Sequence, residues 1–112
     1  MRAIKINTEK QTVTEIDLPK QGDGIDISEL AKEIGCTYFE CVRVGDDDIY
    51  IDDIGRYRTG EQGAFQITGY PEIIIGNAII LSHDFNGESR EPHATVDQIR
   101  GDVEFRQLSI SE

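Results

Sequence analysis

Gly69-Tyr70-Pro71-Glu72-Ile73-Ile74-Ile75-Gly76-Asn77-Ala78-Ile79-Ile80-Leu81-Ser82 is the stretch in which this chain gives up polar alternation and commits to a buried interior. Apolar residues on both faces of an extended segment describe a strand at the centre of a sheet. Ile73, Ile75, Ile79 and Leu81 are therefore expected among the best-buried side chains. Gly76-Asn77 has two readings that both stay open: a tight turn between two short strands, or a bulge within one long strand.

The segments on either side supply neighbours for that strand. Arg2 to Asn7 and Thr12 to Leu18 are β-rich and flank the polar Thr8-Glu9-Lys10-Gln11, which has the length of a hairpin connection. Pro19 ends the second strand, and Gln21-Gly22-Asp23-Gly24 reads as a flexible loop. Asp26 opens a helix as its cap, with Glu29 three residues on, Ile25 placed to staple against Leu30, and Gly35 as the stop. Ile27, Leu30, Ala31 and Ile34 form its apolar stripe. Cys36 to Val44 and Ile49 to Ile51 make a second hairpin across Gly45-Asp46-Asp47-Asp48. Ile54 to Thr68, broken by Gly55, Gly60 and Gly63, reads as a mostly irregular excursion returning to the sheet, and after Ser82 the residues His83 to Gly87 and the polar run through His93 read as an exposed turn and loop. Thr95 with Gln98 forms a capping box that opens a helix with Val96, Ile99 and Val103 on one side, weakened at Gly101; Val103, Phe105, Leu108 and Ile110 could instead finish as a terminal strand, leaving a helix of only two turns. The expected fold class is α+β: a small mixed or antiparallel sheet of about five to six strands packed by one or two short helices.

The 112 residues correspond to one domain, 1–112, large enough to fold on its own core. Acidic residues number 22 against 11 basic ones, a formal charge of -11. Direct binding to nucleic acid is excluded on this balance, because that affinity comes from Lys and Arg displacing counterions. The expected partner is a protein with a basic surface, met by a monomer or a homodimer. No apolar run is long enough to cross a membrane and no signal-like leader is seen, so a cytoplasmic location is expected. Cys36 and Cys41 would lie about 16 Å apart and on opposite faces of a strand, which suits two reduced thiols rather than a disulfide.

Several of these pieces in order, Met1-Arg2-Ala3-Ile4-Lys5-Ile6, the short helix, Phe39-Glu40-Cys41-Val42, and Ile51-Asp52-Asp53-Ile54-Gly55 leading to Ile75-Gly76-Asn77-Ala78-Ile79-Ile80, resemble a family catalogued as a domain of unknown function, number 3846. Its members are short proteins of bacteria, phages and plasmids. The similarity spans most of residues 1 to 105 and rests on common residue types. It departs after the Asp-x-x-Gly turn, where Arg58-Thr59-Gly60-Glu61-Gln62-Gly63 stands in place of a Lys-Gly-Leu-Pro-x-Asn-like segment. The family has no established activity, so the resemblance implies a mobile-element setting and no mechanism.

Three constellations carry chemistry worth locating. The first is the acidic group Asp46, Asp47, Asp48, Asp52, Asp53 and Glu61, read as a partner-binding acidic face that can imitate a phosphate backbone in an anti-defence role. Asp84, Glu88 and Glu91 join it if the fold brings them to the same side. A calcium loop fails there, since counting from Asp46 puts Ile51 and Tyr57 where Gly and Glu are required; a loose divalent-ion site and a merely solvated hairpin stay open. The second is Arg56-Tyr57-Arg58, a small-ligand or nucleotide site within the Arg56–Gly60 loop, or else two arginines neutralising Asp52, Asp53 or Glu61. The third is His83-Asp84, a hydrolase-like base and carboxylate. His83 and His93 lack zinc spacing, and no nucleophile, dinucleotide or phosphate-loop motif is present, so the expectation is a non-enzymatic binding protein with no catalytic residue, metal or cofactor.

Overall fold

The computed structural model describes residues 1–22 and 24–111; Asp23, in the loop expected at 21–24, lies outside the described residues. In chain order the elements are β1 (Arg2–Asn7), β2 (Thr12–Asp17), β3 (Lys20–Gln21), β4 (Gly24–Ile25), α1 (Ile27–Ile34), β5 (Phe39–Val44), β6 (Asp47–Asp52), a 3-10 turn (Gly55–Tyr57), β7 (Gly60–Ile67), β8 (Ile74–Ile75), β9 (Ala78–His83), β10 (Ser89–Arg90), α2 (Val96–Asp102) and β11 (Val103–Ile110). The α+β class stands.

The main sheet has six strands in the order β2-β1-β9-β6-β5, with β10 pairing the far end of β9. Every pairing in it is antiparallel. β9 is central, as its two-sided apolarity requires. Its odd residues Ile79 and Leu81 face α1 with Ala3, Leu18, Leu30 and Ile34, and its even residues Ala78 and Ile80 face the other side with Ile4, Ile6, Ile49 and Phe65. α1 begins and ends as its sequence dictates: the Asp26 carboxylate accepts from the Ser28 and Glu29 N–H groups, and Gly35 closes the helix in a left-handed conformation at φ 84°. Of the expected apolar stripe Leu30 and Ile34 are buried, whereas Ile27, in the first turn, is exposed.

The other face of the main sheet is covered by a second sheet, β11-β7-β8, together with α2. Here the structure corrects the expectation of an irregular excursion over 54–68. Gly60–Ile67 is an eight-residue strand paired along its whole length with β11. Its glycines did not break it because one of them is needed for close approach. A Cβ on Gly63 would sit 2.7 Å from Thr8 Oγ1 and 2.9 Å from Thr8 Cβ. Thr8 in turn donates through its backbone N–H and its hydroxyl to Asn77 Oδ1, at 2.8 and 3.1 Å. The two sheets thus meet at Gly63, Thr8 and Asn77. Gly63→Ala is expected to lower stability by about 1–2 kcal/mol through overpacking at this seam, read from chemical denaturation midpoints. A change within about 0.3 kcal/mol would show that Thr8 gives way freely.

Gly76-Asn77 is neither a turn between paired strands nor a bulge. β8 pairs with β7 in the second sheet, whereas β9 pairs with β1 and β6 in the main one, so Gly76, at φ 93°, is the corner where the chain changes sheets. The expectations for burial hold for Ile75, Ile79 and Leu81 and fail for Ile73, which is 38% exposed. Ile73 precedes β8 and so has no strand partner to carry it into the interior.

Candidate functional site

The β5–β6 turn contains only Gly45 and Asp46, not the four residues Gly45 to Asp48, so Asp47 and Asp48 are ladder residues paired with Val44 and Arg43. Successive strand residues point to opposite faces, and both of these carboxylates are buried. Asp48 lies on the α1 side of the main sheet. Its Oδ1 accepts from Arg43 Nη1 at 3.1 Å, and its Oδ2 lies 2.6 Å from His83 Nδ1. Asp47 lies between the sheets, where its Oδ1 and Oδ2 accept from the backbone N–H groups of His93 and Ala94 at 2.7 and 3.0 Å. That latch ties the segment before α2 to the hairpin.

The acidic set expected to form one face is therefore divided. β6 is six residues long rather than three, which puts Asp52 about 14 Å along the strand from Asp48. Asp52 is itself engaged, accepting from Arg58 Nε at 2.8 Å and from the Ile54 N–H at 3.1 Å. Glu61 is exposed and, with Asp52 and Arg58, lines a cleft at that far end. Of the six residues, Asp47, Asp48 and Asp52 offer no free carboxylate to solvent. Asp46 is exposed and Asp53 partly so.

The arginines of the Arg56–Gly60 loop are paired within the chain. Arg58 Nη2 stands 2.7 Å from Asp52, Arg56 Nη2 stands 3.6 Å from Glu40, and the Arg56 guanidinium lies 5.5 Å from the centre of the exposed Tyr57 ring. For His83 the carboxylate partner is Asp48 across the ladder and not its sequence neighbour Asp84. Asp84 Oδ1 accepts from the N–H groups of Asn86 and Glu88, and its Oδ2 pairs with Arg90 at 2.6 Å. β9 ends at His83, and Asp84 instead opens the hairpin turn, where its side chain is taken up by Asn86, Glu88 and Arg90.

Cys36 and Cys41 are free thiols. Burial first, then Asp52 and Asp53, pushes Cys36 up; burial first, then Asp48, pushes Cys41 up. Such thiols stay protonated at neutral pH and are weak nucleophiles. Tyr50, opposite Cys41 on β6, is pushed up to about 12, chiefly by burial and then by the charges of Cys41 and Asp48. Among the described residues, no group of three or more His, Cys, Asp or Glu side chains is placed to hold a metal ion.

Two features at the Asp46 end were not among the expected sites. One is the β9–β10 hairpin tip. Its turn is closed by the Asp84 side chain and by backbone bonds from Gly87 N–H to Asp84 O and from Asp84 N–H to Glu88 O, at 2.9 and 3.0 Å. This tied turn holds Phe85 99% exposed. The other is a cleft of about 670 Å³ between the sheets, floored by Val44, Ile49, Ile67, Ile80 and Ile99, with Asp46, Asp47, His93, Gln98 and Asp102 around it. An aspartate in phase with Ile49 and Ile51 was the available clue to the cleft, because a carboxylate at a core position must find donors. Comparison of the chain with family models, with curated proteins and with solved structures returned no match.

Proposed function

We propose that this chain is a small acidic interaction protein that binds a basic protein partner through the end of the main sheet where the Asp46 turn and the Phe85 hairpin meet. The observation that carries the reading is Phe85, fully exposed on a turn whose backbone is held by its own hydrogen bonds. Burying a phenylalanine is worth about 1.5–3 kcal/mol, and a side chain presented on a fixed backbone loses little entropy when it docks. Asp84 and Glu88 share Arg90, whereas Asp46 and Glu91 are exposed on neighbouring segments and form no ion pair among the described residues. They favour a receiving surface that is apolar at its centre and basic at its rim. The formal charge of -11 adds long-range attraction to the same kind of partner.

Binding rather than catalysis is the role proposed, with the chain acting in the cytoplasm as a monomer or homodimer. Its resemblance to a family of bacterial, phage and plasmid proteins supports a nucleic-acid-handling or host-defence protein as the partner. Imitation of a phosphate backbone by β6 itself loses support, since Asp48 and Asp52 already carry arginines.

Immobilised protein exposed to a bacterial lysate at low and high salt tests the reading. A basic partner is expected at low salt and is expected to be released at high salt. Phe85→Ala should weaken the purified complex by about 2 kcal/mol, roughly 30-fold, without changing stability, since Phe85 buries nothing in the free chain. Recovery of no basic partner, or equal affinity of Phe85→Ala, would overturn it.

A further inference from the structure

Among the described residues three carboxylates are withdrawn from solvent, Asp47, Asp48 and Asp52, and they are not compensated alike. Asp48 has Arg43 and His83, and Asp52 has Arg58. Asp47, 6% exposed, has only the neutral N–H donors of His93 and Ala94; among the described residues no cationic nitrogen is paired with it. Buried charges are as a rule matched by an opposite charge. The one that lacks its match borders the cleft between the sheets.

Two further aspartates on the lining add to the same charge, beside the polar Thr68, His93 and Gln98. Asp46 and Asp102 stand on the cleft with carboxylates that accept no hydrogen bond and form no ion pair among the described residues; only their backbone carbonyls are engaged, Asp46 O by Arg43 and Ser82 and Asp102 O by Thr68. No lysine or arginine lines the cleft. Its floor is entirely aliphatic. A hydrated metal ion would leave that floor unused, whereas a cation on an aliphatic stem fits both parts, the stem over the isoleucines and the head among the aspartates.

We infer that the cleft receives an arginine or lysine side chain of the protein partner. The inference rests on the partner reading above and adds a second contact to Phe85: the partner's basic side chain enters between the sheets and supplies the counter-charge that Asp47 lacks. The volume of about 670 Å³ also admits an apolar neighbour on the same peptide.

The test is a titration of the full chain, followed by backbone amide chemical shifts, with acetyl-Leu-Arg-Leu-amide, with the same peptide carrying citrulline for arginine, and with spermidine. The arginine peptide is expected to shift the amides of Val44, Asp46, Thr68 and Ala94. The citrulline peptide, equal in shape and uncharged, is expected to bind at least about tenfold more weakly. Asp102→Asn should weaken the arginine peptide by about three- to tenfold while leaving the fold intact, since its carboxylate holds nothing in the chain. Absence of shifts at the cleft up to about 10 mM peptide, equal binding of the citrulline peptide, shifts centred elsewhere, or spermidine binding as tightly as the peptide would each overturn the inference. Lysate capture that persists and depends on Phe85 while the peptide fails to bind would remove the cleft contact alone. Peptide binding without any captured partner would remove the partner reading and leave the cleft.

Discussion

Phe65→Ala is expected to lower stability by about 3–5 kcal/mol, the usual cost of emptying an aromatic site in a core that cannot collapse around it. Phe65 is completely buried. On β7 it stands opposite Ile74 on one side and Phe105 on the other, and it belongs to the same apolar cluster as Ile4, Ile6, Ile49 and Ile80 of the main sheet. Among the described residues it is the largest fully buried side chain, and it joins the two sheets. For a domain with a total stability of about 5–15 kcal/mol, the melting temperature should fall by about 15–25 °C. Phe65→Leu should recover most of that stability, staying within about 1.5 kcal/mol of the parent. Circular dichroism melts of the two variants check this. A loss under about 1 kcal/mol for the alanine variant would mean that the second sheet does not share the core of the first.

Asp47→Ala is expected to cost about 2–4 kcal/mol. Two hydrogen bonds to a charged acceptor contribute about 1.5–3 kcal/mol each, and relief from desolvating a carboxylate without a counter-charge returns part of that sum. Asp47→Asn cannot restore the latch, because its amide has one oxygen for two backbone donors and its NH2 would face an N–H. Urea denaturation gives the stability, and hydrogen exchange gives the location. Protection should drop at His93, Ala94 and the first turn of α2 before it drops in β9. A uniform loss of protection would show that the latch does not act locally.

Much of the architecture was legible in the residues themselves. The two-sided apolarity of 69–82 marked the central strand, of which 78–83 lies in the main sheet and 74–75 in the second; Thr8 to Gln11 had the length of the first hairpin connection, and Asp26 and Gly35 delimited α1. Thr95 and Gln98 were readable as the capping box that opens α2, which the structure shows complete. These features are local: periodicity and capping depend on neighbours a few residues away.

The candidate site was less legible, because its members meet across the fold. Five aspartates close in sequence looked like one cluster, but the two-residue turn placed Asp47 and Asp48 within β6 and sent them to opposite faces. His83 found Asp48, 35 residues away, in place of Asp84 beside it. Of the two arginines read either as a ligand site or as neutralising Asp52, Asp53 or Glu61, Arg58 pairs with Asp52, whereas Arg56 reaches across to Glu40.

The sequence alone determined that this is an acidic α+β domain built on a buried β9, because apolar pattern, caps and net charge are properties of the chain itself. Only the tertiary structure decided that Gly76 is a corner between two sheets, that Asp47 is buried without a cation, and that Phe85 stands wholly in solvent. Each of those depends on which distant strand lies alongside, and burial and pairing are settled by that neighbour rather than by the residue's own type.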